Sequence, residues 1–391
     1  MSTLTLRTTL AALLATGLLT ALAASPAAAQ SHESHEMHSR TMDGHRTLEV
    51  RARGKVEFTD DDRDVRRISP GGHLVIEEHL RGSSARRVEF TPGPDGGVRR
   101  VYRVNGETRG FDPGARLWLA RILPETVRET GVGARERVAR ILAREGVPGV
   151  LEEISRIRSD GVQRVYFAAL LDHSSLRPDD VARVLRQAGR QIGSDGDRAS
   201  LLRRAALRGD LENDAVRRAF FDAVGTIGSD GDRASVLRRV LERERASEAL
   251  RTALLRSAAE IGSDGDKSSV LVQAARRYPL SASATRAAFF ESVGTIGSDG
   301  DHARVLKEVL RGGALTREVA VAVLRSARGI GSDGDKTAVL LHLPVDRLRD
   351  RVVADAYRDT AESIGSDGNR ARALSFLSRT ARGVAPRRQR I

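Results

Sequence analysis

The hexapeptide Ile-Gly-Ser-Asp-Gly-Asp stands at 192–197 and recurs at 227–232, 261–266, 296–301 and 330–335, with an Asn-ended copy at 364–369. Its isoleucines, Ile192, Ile227, Ile261, Ile296, Ile330 and Ile364, lie 35, 34, 35, 34 and 34 residues apart. A worn copy, Ile157 to Val162, begins 35 residues before the first, which makes seven. A fixed period of this length restricts the chain to a solenoid or a propeller, because each unit buries its apolar face only against its neighbours. The residues between the marks select the solenoid. Phe220, Ala223, Val224 and Ile227 fall at helical spacing before one mark, and Ala234, Val236, Leu237, Val240 and Leu241 follow it. Gly209-Asp210, Pro279, Gly312-Gly313 and Pro344 punctuate the far ends of the units. Each repeat therefore reads as two antiparallel helices of about twelve residues, filling 151–382.

A longer rhythm overlies the first. AFFDAVGTIGSDGDRA at 219–234 returns as AFFESVGTIGSDGDHA at 288–303, and LLRSAAEIGSDGDK at 254–267 as VLRSARGIGSDGDK at 323–336, both offset by 69 residues. A two-repeat block was copied as a unit, and its Phe-Phe pairs are expected at interfaces between repeats.

Within the hexapeptide, Gly193 is expected in the left-handed conformation past a helix end. Ser194 caps the next helix and Asp197 completes a capping box. The same roles fall to Gly228, Ser229 and Asp232; Gly262, Ser263 and Asp266; Gly297, Ser298 and Asp301; Gly331, Ser332 and Asp335; and Gly365 with Ser366. Asp195 adds negative charge at a helix N-terminus, and the basic residue after the motif, from Arg198 to Arg370, balances it. Aspartates spaced by glycine also resemble calcium-loop vocabulary. Each copy offers only two carboxylates, however, with no distal glutamate, and Val162 and Asn369 break the acidic pattern. Left open is whether the row Asp195, Asp230, Asp264, Asp299, Asp333 and Asp367 also serves a cation or a basic partner.

The first 29 residues read as a signal peptide: Arg7, an apolar run from Leu10 to Ala24, and Ala27-Ala28-Ala29 before Gln30. That places the mature chain in an extracytoplasmic, periplasmic or secreted, setting with no stable membrane insertion. Residues 30–48 have few large apolar side chains and read as a flexible linker. From 49 to 111 the pattern changes to short alternating runs, 54–58, 65–69, 73–80, 86–91 and 98–104, separated by turn clusters such as TPGPDGG. A small antiparallel meander of about four or five strands follows, with Val56, Phe58, Leu74, Ile76, Val88, Phe90, Tyr102 and Val104 on one face. Residues 112–150 read as connecting or capping helices. They start at Asp112-Pro113, carry the only tryptophan, Trp118, and should kink or split at Pro124. Residues 383–391 form a basic tail.

The absence of cysteine removes disulfides and thiolate metal sites. His32, His35 and His38, with His45 nearby, offer a weak metal-binding alternative to a solvated linker, and TDDDRD at 59–64 reads as a solvated turn. His173, His302 and His342 are isolated, and no phosphate loop or nucleophile elbow occurs. No catalytic residue or cofactor is therefore expected. The net charge of +13 is carried by arginines interleaved with Asp and Glu, since Lys55, Lys267, Lys307 and Lys336 are the only lysines.

The motif and its period resemble HEAT-like helical repeats. In particular they resemble the S-D-x-D-[KR] repeats of extracytoplasmic portions of some bacterial integral-membrane zinc metallopeptidases of the antibiotic-sensor type, and of secreted relatives. The resemblance covers roughly 150–382, and the GKVEF and ISPGGHLVIEE phrases resemble the segment that can precede such repeats. It implies an interaction or sensory module without a catalytic residue, because the HExxH motif of those peptidases is absent. The expectation is a mainly α chain, an α-solenoid behind a small β unit, acting as an exported protein–protein scaffold. The alternative is a binder of an anionic polymer, surface polysaccharide or nucleic acid, through its arginines.

Overall fold

The computed structural model describes residues 37–43, 45–82, 84–312 and 315–381. The signal segment, His32, His35 and the basic tail lie outside them. Eight strands come first: β1 (Met37–Asp43), β2 (Arg46–Arg53), β3 (Val56–Phe58), β4 (Val65–Ile68), β5 (His73–Leu80), β6 (Ala85–Pro92), β7 (Val98–Val104) and β8 (Glu107–Arg109). Six of them make an antiparallel sheet ordered β1-β2-β5-β6-β7-β8, and β3 with β4 forms a separate hairpin. The sheet is larger than the meander expected. Residues 37–43, expected in a flexible linker, pair with β2 as an edge strand, Asp43 opposite Arg46. An edge strand needs no apolar stripe of its own, which is why composition missed it.

One cross-strand row explains the sheet's buried face. Val50 stands opposite Ile76, Ile76 opposite Val88 and Val88 opposite Tyr102, and all four are buried. Helix α1 (Pro113–Thr130) covers this row with Trp118, Leu119, Ile122 and Leu123, and the hairpin adds Val56, Phe58, Val65 and Ile68. Burying each of these side chains fully contributes about 1.5–3 kcal/mol. The Asp112 carboxylate accepts from the Ala115 amide at 2.8 Å and fixes the helix start. The Trp118 indole donates to Glu78 Oε2 at 2.6 Å. Pro124 does not split α1, which runs on to Thr130. Residues on both sides of the proline, Ile122, Leu123 and Val127, are buried in the same core and hold the helix across the missing amide.

Gly131 (φ 71°) ends α1, and at Gly133 (φ 67°) a Cβ would lie 2.7 Å from the Phe58 ring. A second apolar core begins at Ala134 and continues without a break to Ala373. It is built by α2 (Ala134–Ser155, interrupted at Gly146, φ 69°) and α3 (Asp160–Leu171), then α4 (Pro178–Gln191) and α5 (Asp195–Ala205), α6 (Asp214–Gly225) and α7 (Asp230–Leu241), α8 (Glu248–Ala259) and α9 (Asp264–Arg277). After these come α10 (Ser283–Gly294) and α11 (Asp299–Arg311), α12 (Arg317–Ala327) and α13 (Asp333–His342), and α14 (Arg351–Glu362) and α15 (Asp367–Ala381). Even-numbered helices pack on one another in one layer and odd-numbered helices in the other, so the fold is solenoid-like.

The even layer is not uniform. α4 lies close along α6, α8 along α10, and α12 along α14, whereas α6 and α8, and α10 and α12, splay apart. Small and hydroxylated residues make the close seams. A Cβ on Gly189 would sit 3.0 Å from the Ala223 Cβ, Ser292 Oγ donates to the Leu255 carbonyl at 2.5 Å, and Thr360 Oγ1 donates to Leu324 at 3.1 Å. The Phe-Phe pairs mark the splayed seams: Phe220 and Phe289 are buried, each edge-on to a half-buried neighbour, Phe221 at 5.3 Å and Phe290 at 5.4 Å.

Candidate functional site

Each hexapeptide lies between the two helices of one repeat. The serines cap the second helix. Ser194, Ser229, Ser263, Ser298 and Ser332 accept from the amides of Asp197, Asp232, Asp266, Asp301 and Asp335 at 3.2–3.3 Å, and Ser366 accepts from Asn369 at 3.5 Å. The return arm of the capping box does not form, because the serine amide is already taken. Asp160 accepts from Gly193 and Ser194 at 3.0 and 2.7 Å, and Asp195 accepts from Ser229 at 2.9 Å. Asp230 accepts from Gly262 and Ser263 at 2.9 and 2.7 Å, Asp264 from Gly297 and Ser298 at 3.1 and 2.8 Å, and Asp299 from Gly331 and Ser332 at 2.8 Å each. Asp333 accepts from Gly365 and Ser366 at 3.0 and 2.7 Å. The first aspartate of every turn but the last therefore clamps the backbone of the following repeat. Freed of the return arm, Asp197 accepts instead from Arg164 Nε at 2.8 Å and Asp301 from Ser268 Oγ at 2.9 Å.

This geometry corrects the reading of the glycine. Gly193, Gly228, Gly262, Gly297, Gly331 and Gly365 are absent from the positive-φ residues. They are glycines because a Cβ would press on the clamping carboxylate, at 3.2 Å for Gly193 and 3.0 Å for Gly262. A close approach, not a left-handed turn, selects the residue. The carboxylate row is thus engaged by backbone amides rather than offered to a cation. Asp367 is the exception, its side chain 89% exposed and paired among the described residues with Arg370 alone.

The basic residue after the motif makes a second tie. Arg198 donates to the Thr226 carbonyl at 2.5 Å, Arg233 to Glu260 at 2.8 Å, Lys267 to Thr295 at 2.9 Å and Lys336 to Ser363 at 3.3 Å. Each acceptor closes the first helix of the next repeat, where the dipole favours a cation. His302 is too short for that reach, and its Nε2 lies 2.9 Å from Ser326 Oγ. Burial holds its imidazole below the ordinary value against the opposing pull of Asp299. The spacing of Asp to the next Gly-Ser was present in the sequence, but nothing in a single copy indicates that its carboxylate reaches across a repeat.

The acidic turn at 59–64 is solvated at Asp60, Asp61 and Arg63, as expected, but not at Asp62. Asp62 adopts φ 56° and is buried with Arg137 Nε at 2.6 Å and Arg140 beside it. Arg137 Nη1 also meets Glu153 at 2.6 Å, and Glu153 takes Arg128 Nε at 2.7 Å. Burial opposes the charge on Arg137, yet the Tyr166 hydroxyl and the Glu153 and Asp62 carboxylates outweigh it and raise its pKa. This network fastens the β3–β4 hairpin to the first repeat. Of the histidine cluster, His38 lies on β1 with Nε2 2.8 Å from Glu49 Oε1, a contact that lowers the pKa of Glu49. Among the described residues no group of three His, Cys, Asp or Glu could hold a metal ion, and no helix is long and apolar enough to cross a membrane. His173 is half-buried and His342 exposed, its Nδ1 2.9 Å from the Ala338 carbonyl.

The splayed seams open two grooves. One, of about 670 Å³, lies between α10 and α12 over Phe290, Val321 and Ala322, with Arg286, Arg317, Glu318, Arg325, His302 and Ser326 around it. The other, of about 570 Å³, lies between α6 and α8 over Phe221 and Ala253, with Arg217, Arg218, Asp222, Arg256, Ser257 and Glu260. Phe221 and Phe290, Arg256 and Arg325, and Ser257 and Ser326 are pairs related by the 69-residue echo. The echo relates the two grooves, but which seams splay is not legible in it. Compared with known proteins, the chain matches no family model, no curated protein and no solved structure.

Proposed function

We propose that this chain is a non-enzymatic binding protein of the cell envelope, a helical-repeat scaffold or sensory module that engages another protein through its even-numbered helices. One observation supports the reading above others. The polar groups of the turns are used between repeats, while the even layer keeps Arg183, Arg186, Arg190, Arg218, Arg256 and Arg325 exposed, without side-chain partners among the described residues, and of these Arg218, Arg256 and Arg325 line two equivalent grooves. Unpaired cations next to an apolar recess on a rigid array are what a partner surface uses. The signal-like segment at 1–29 and the resemblance to extracytoplasmic HEAT-like repeats agree with export.

The test is capture from envelope extract by the full chain and by an Arg218→Glu/Arg256→Glu/Arg325→Glu variant. A partner retained by the parent and lost by the variant is expected. Capture of no partner by the parent overturns the reading. A second reading, an anionic polymer, is favoured by the Arg183, Arg186 and Arg190 cluster on α4. It requires binding that falls steeply with salt, because contacts to a polyanion release counterions.

A further inference from the structure

The two grooves are copies of one design placed two repeats apart. Each has a half-buried phenylalanine in its floor, Phe221 or Phe290, and an exposed arginine at its rim, Arg256 or Arg325, that makes no ion pair among the described residues. The grooves differ in one lining hydroxyl. Ser257 is 6% exposed, lines the groove, and its hydroxyl has no hydrogen-bond partner. In the α10–α12 groove the equivalent hydroxyl, Ser326, is instead engaged by His302 at 2.9 Å.

Neighbouring helices in a packed layer lie about 8–10 Å apart, so the grooves are separated by roughly 20 Å. An extended strand rises about 3.3 Å per residue, so about six residues span that distance. We propose that the two grooves together hold one extended, acidic peptide segment of a partner protein. Each takes an apolar side chain against its phenylalanine and a carboxylate against Arg256 or Arg325, the two anchors lying about six residues apart. This deepens the proposed function by naming the partner's chemistry. Each groove pairs one apolar recess with one unpaired rim arginine, which suits an apolar side chain beside a carboxylate in a peptide. The α10–α12 groove is the stronger of the two, because Glu318 is its single carboxylate, whereas Asp222 and Glu260 both line the α6–α8 groove. Linking two weak anchors on a rigid spacing raises affinity by effective concentration.

Fluorescence anisotropy on the full chain tests this with three labelled twelve-residue Asp/Glu peptides: two phenylalanines six residues apart, two phenylalanines three apart, and none. The six-residue spacing should bind at least about tenfold tighter than either other peptide. Arg256→Glu with Arg325→Glu should abolish that advantage at an unchanged melting temperature, since both arginines are exposed and unpaired. Ala253→Glu with Ala322→Glu, which places a carboxylate over each floor, should do the same and serves if the first variant misfolds. Equal binding by all three peptides means the face reads charge alone and overturns the proposal, as does binding by none. If an envelope partner is captured by the parent and kept by both double variants, the scaffold reading stands and the groove assignment fails.

Discussion

Six aspartates join successive repeats through backbone amides, whereas the β unit is joined to the array by one buried ion network around Arg137. The two joints differ in what they demand. A carboxylate accepting from Gly and Ser amides needs one aspartate and one glycine, and no particular side chain on the far partner. It can therefore be copied with every duplication. The Arg137 joint needs Asp62, Glu153 and Tyr166 placed together at one point, and the chain carries it once. Repetition thus favours contacts to the main chain, and a unique interface can use mutually dependent side chains.

The largest expected effect falls on the unique joint. Arg137→Ala leaves Asp62 and Glu153 buried without their shared cation and should cost about 3–5 kcal/mol. Urea unfolding of the full chain, followed by Trp118 fluorescence for the β unit and far-UV circular dichroism for the array, reads the loss. A loss under about 1 kcal/mol would erase the contrast. Within the array, Asp230→Ala removes charge-assisted bonds to Gly262 and Ser263 and should cost about 1–3 kcal/mol. Asp367→Ala releases no backbone amide of another repeat among the described residues and should lower the melting temperature much less. Equal effects at the two positions would mean that the aspartates act only on their own helices.

The two glycines of one turn sharpen the point further. A Cβ at Gly262 lies 3.0 Å from Asp230 Oδ2, while at Gly265 nothing lies within 4 Å. Gly262→Ala should lower stability by about 1 kcal/mol, and Gly265→Ala should raise it by about 0.4–1 kcal/mol by restricting the unfolded chain. The smallest effect is on pH. Hydrogen bonds from Gly365 and Ser366 hold the Asp333 carboxyl below its usual range. Its contribution is therefore complete above the unfolded value of about 3.9 and is lost as pH falls through the lower folded value. Asp333→Asn should flatten the stability profile in that acid window relative to the parent.

Much of this architecture was legible because burial repeats. Ile192 and its successors fixed the period, and the alternation of Leu74, Ile76, Val88 and Phe90 marked the sheet strands. What escaped was set by partners far apart in the chain. Residues 37–43 carry too little apolar pattern to be read as a strand until β2 is beside them, although Asp43-Gly44 is a hairpin signal. Gly193 was assigned a backbone role since a single turn gives no hint of Asp160 against it. The Asp62 turn looked solvated because Arg137 lies 75 residues away. The grooves required knowing which seams splay, and the Phe-Phe echo showed only where the pattern changes.

Amide hydrogen exchange at Gly262 and Ser263 in the parent and in Asp230→Ala reads the clamp between repeats most directly. Protection in the parent that is the same in calcium and in chelator, and selectively lost at these two amides in Asp230→Ala, is the predicted result. Free exchange in the parent, or protection that depends on added calcium, would contradict the assignment of the hexapeptide as a joint between repeats.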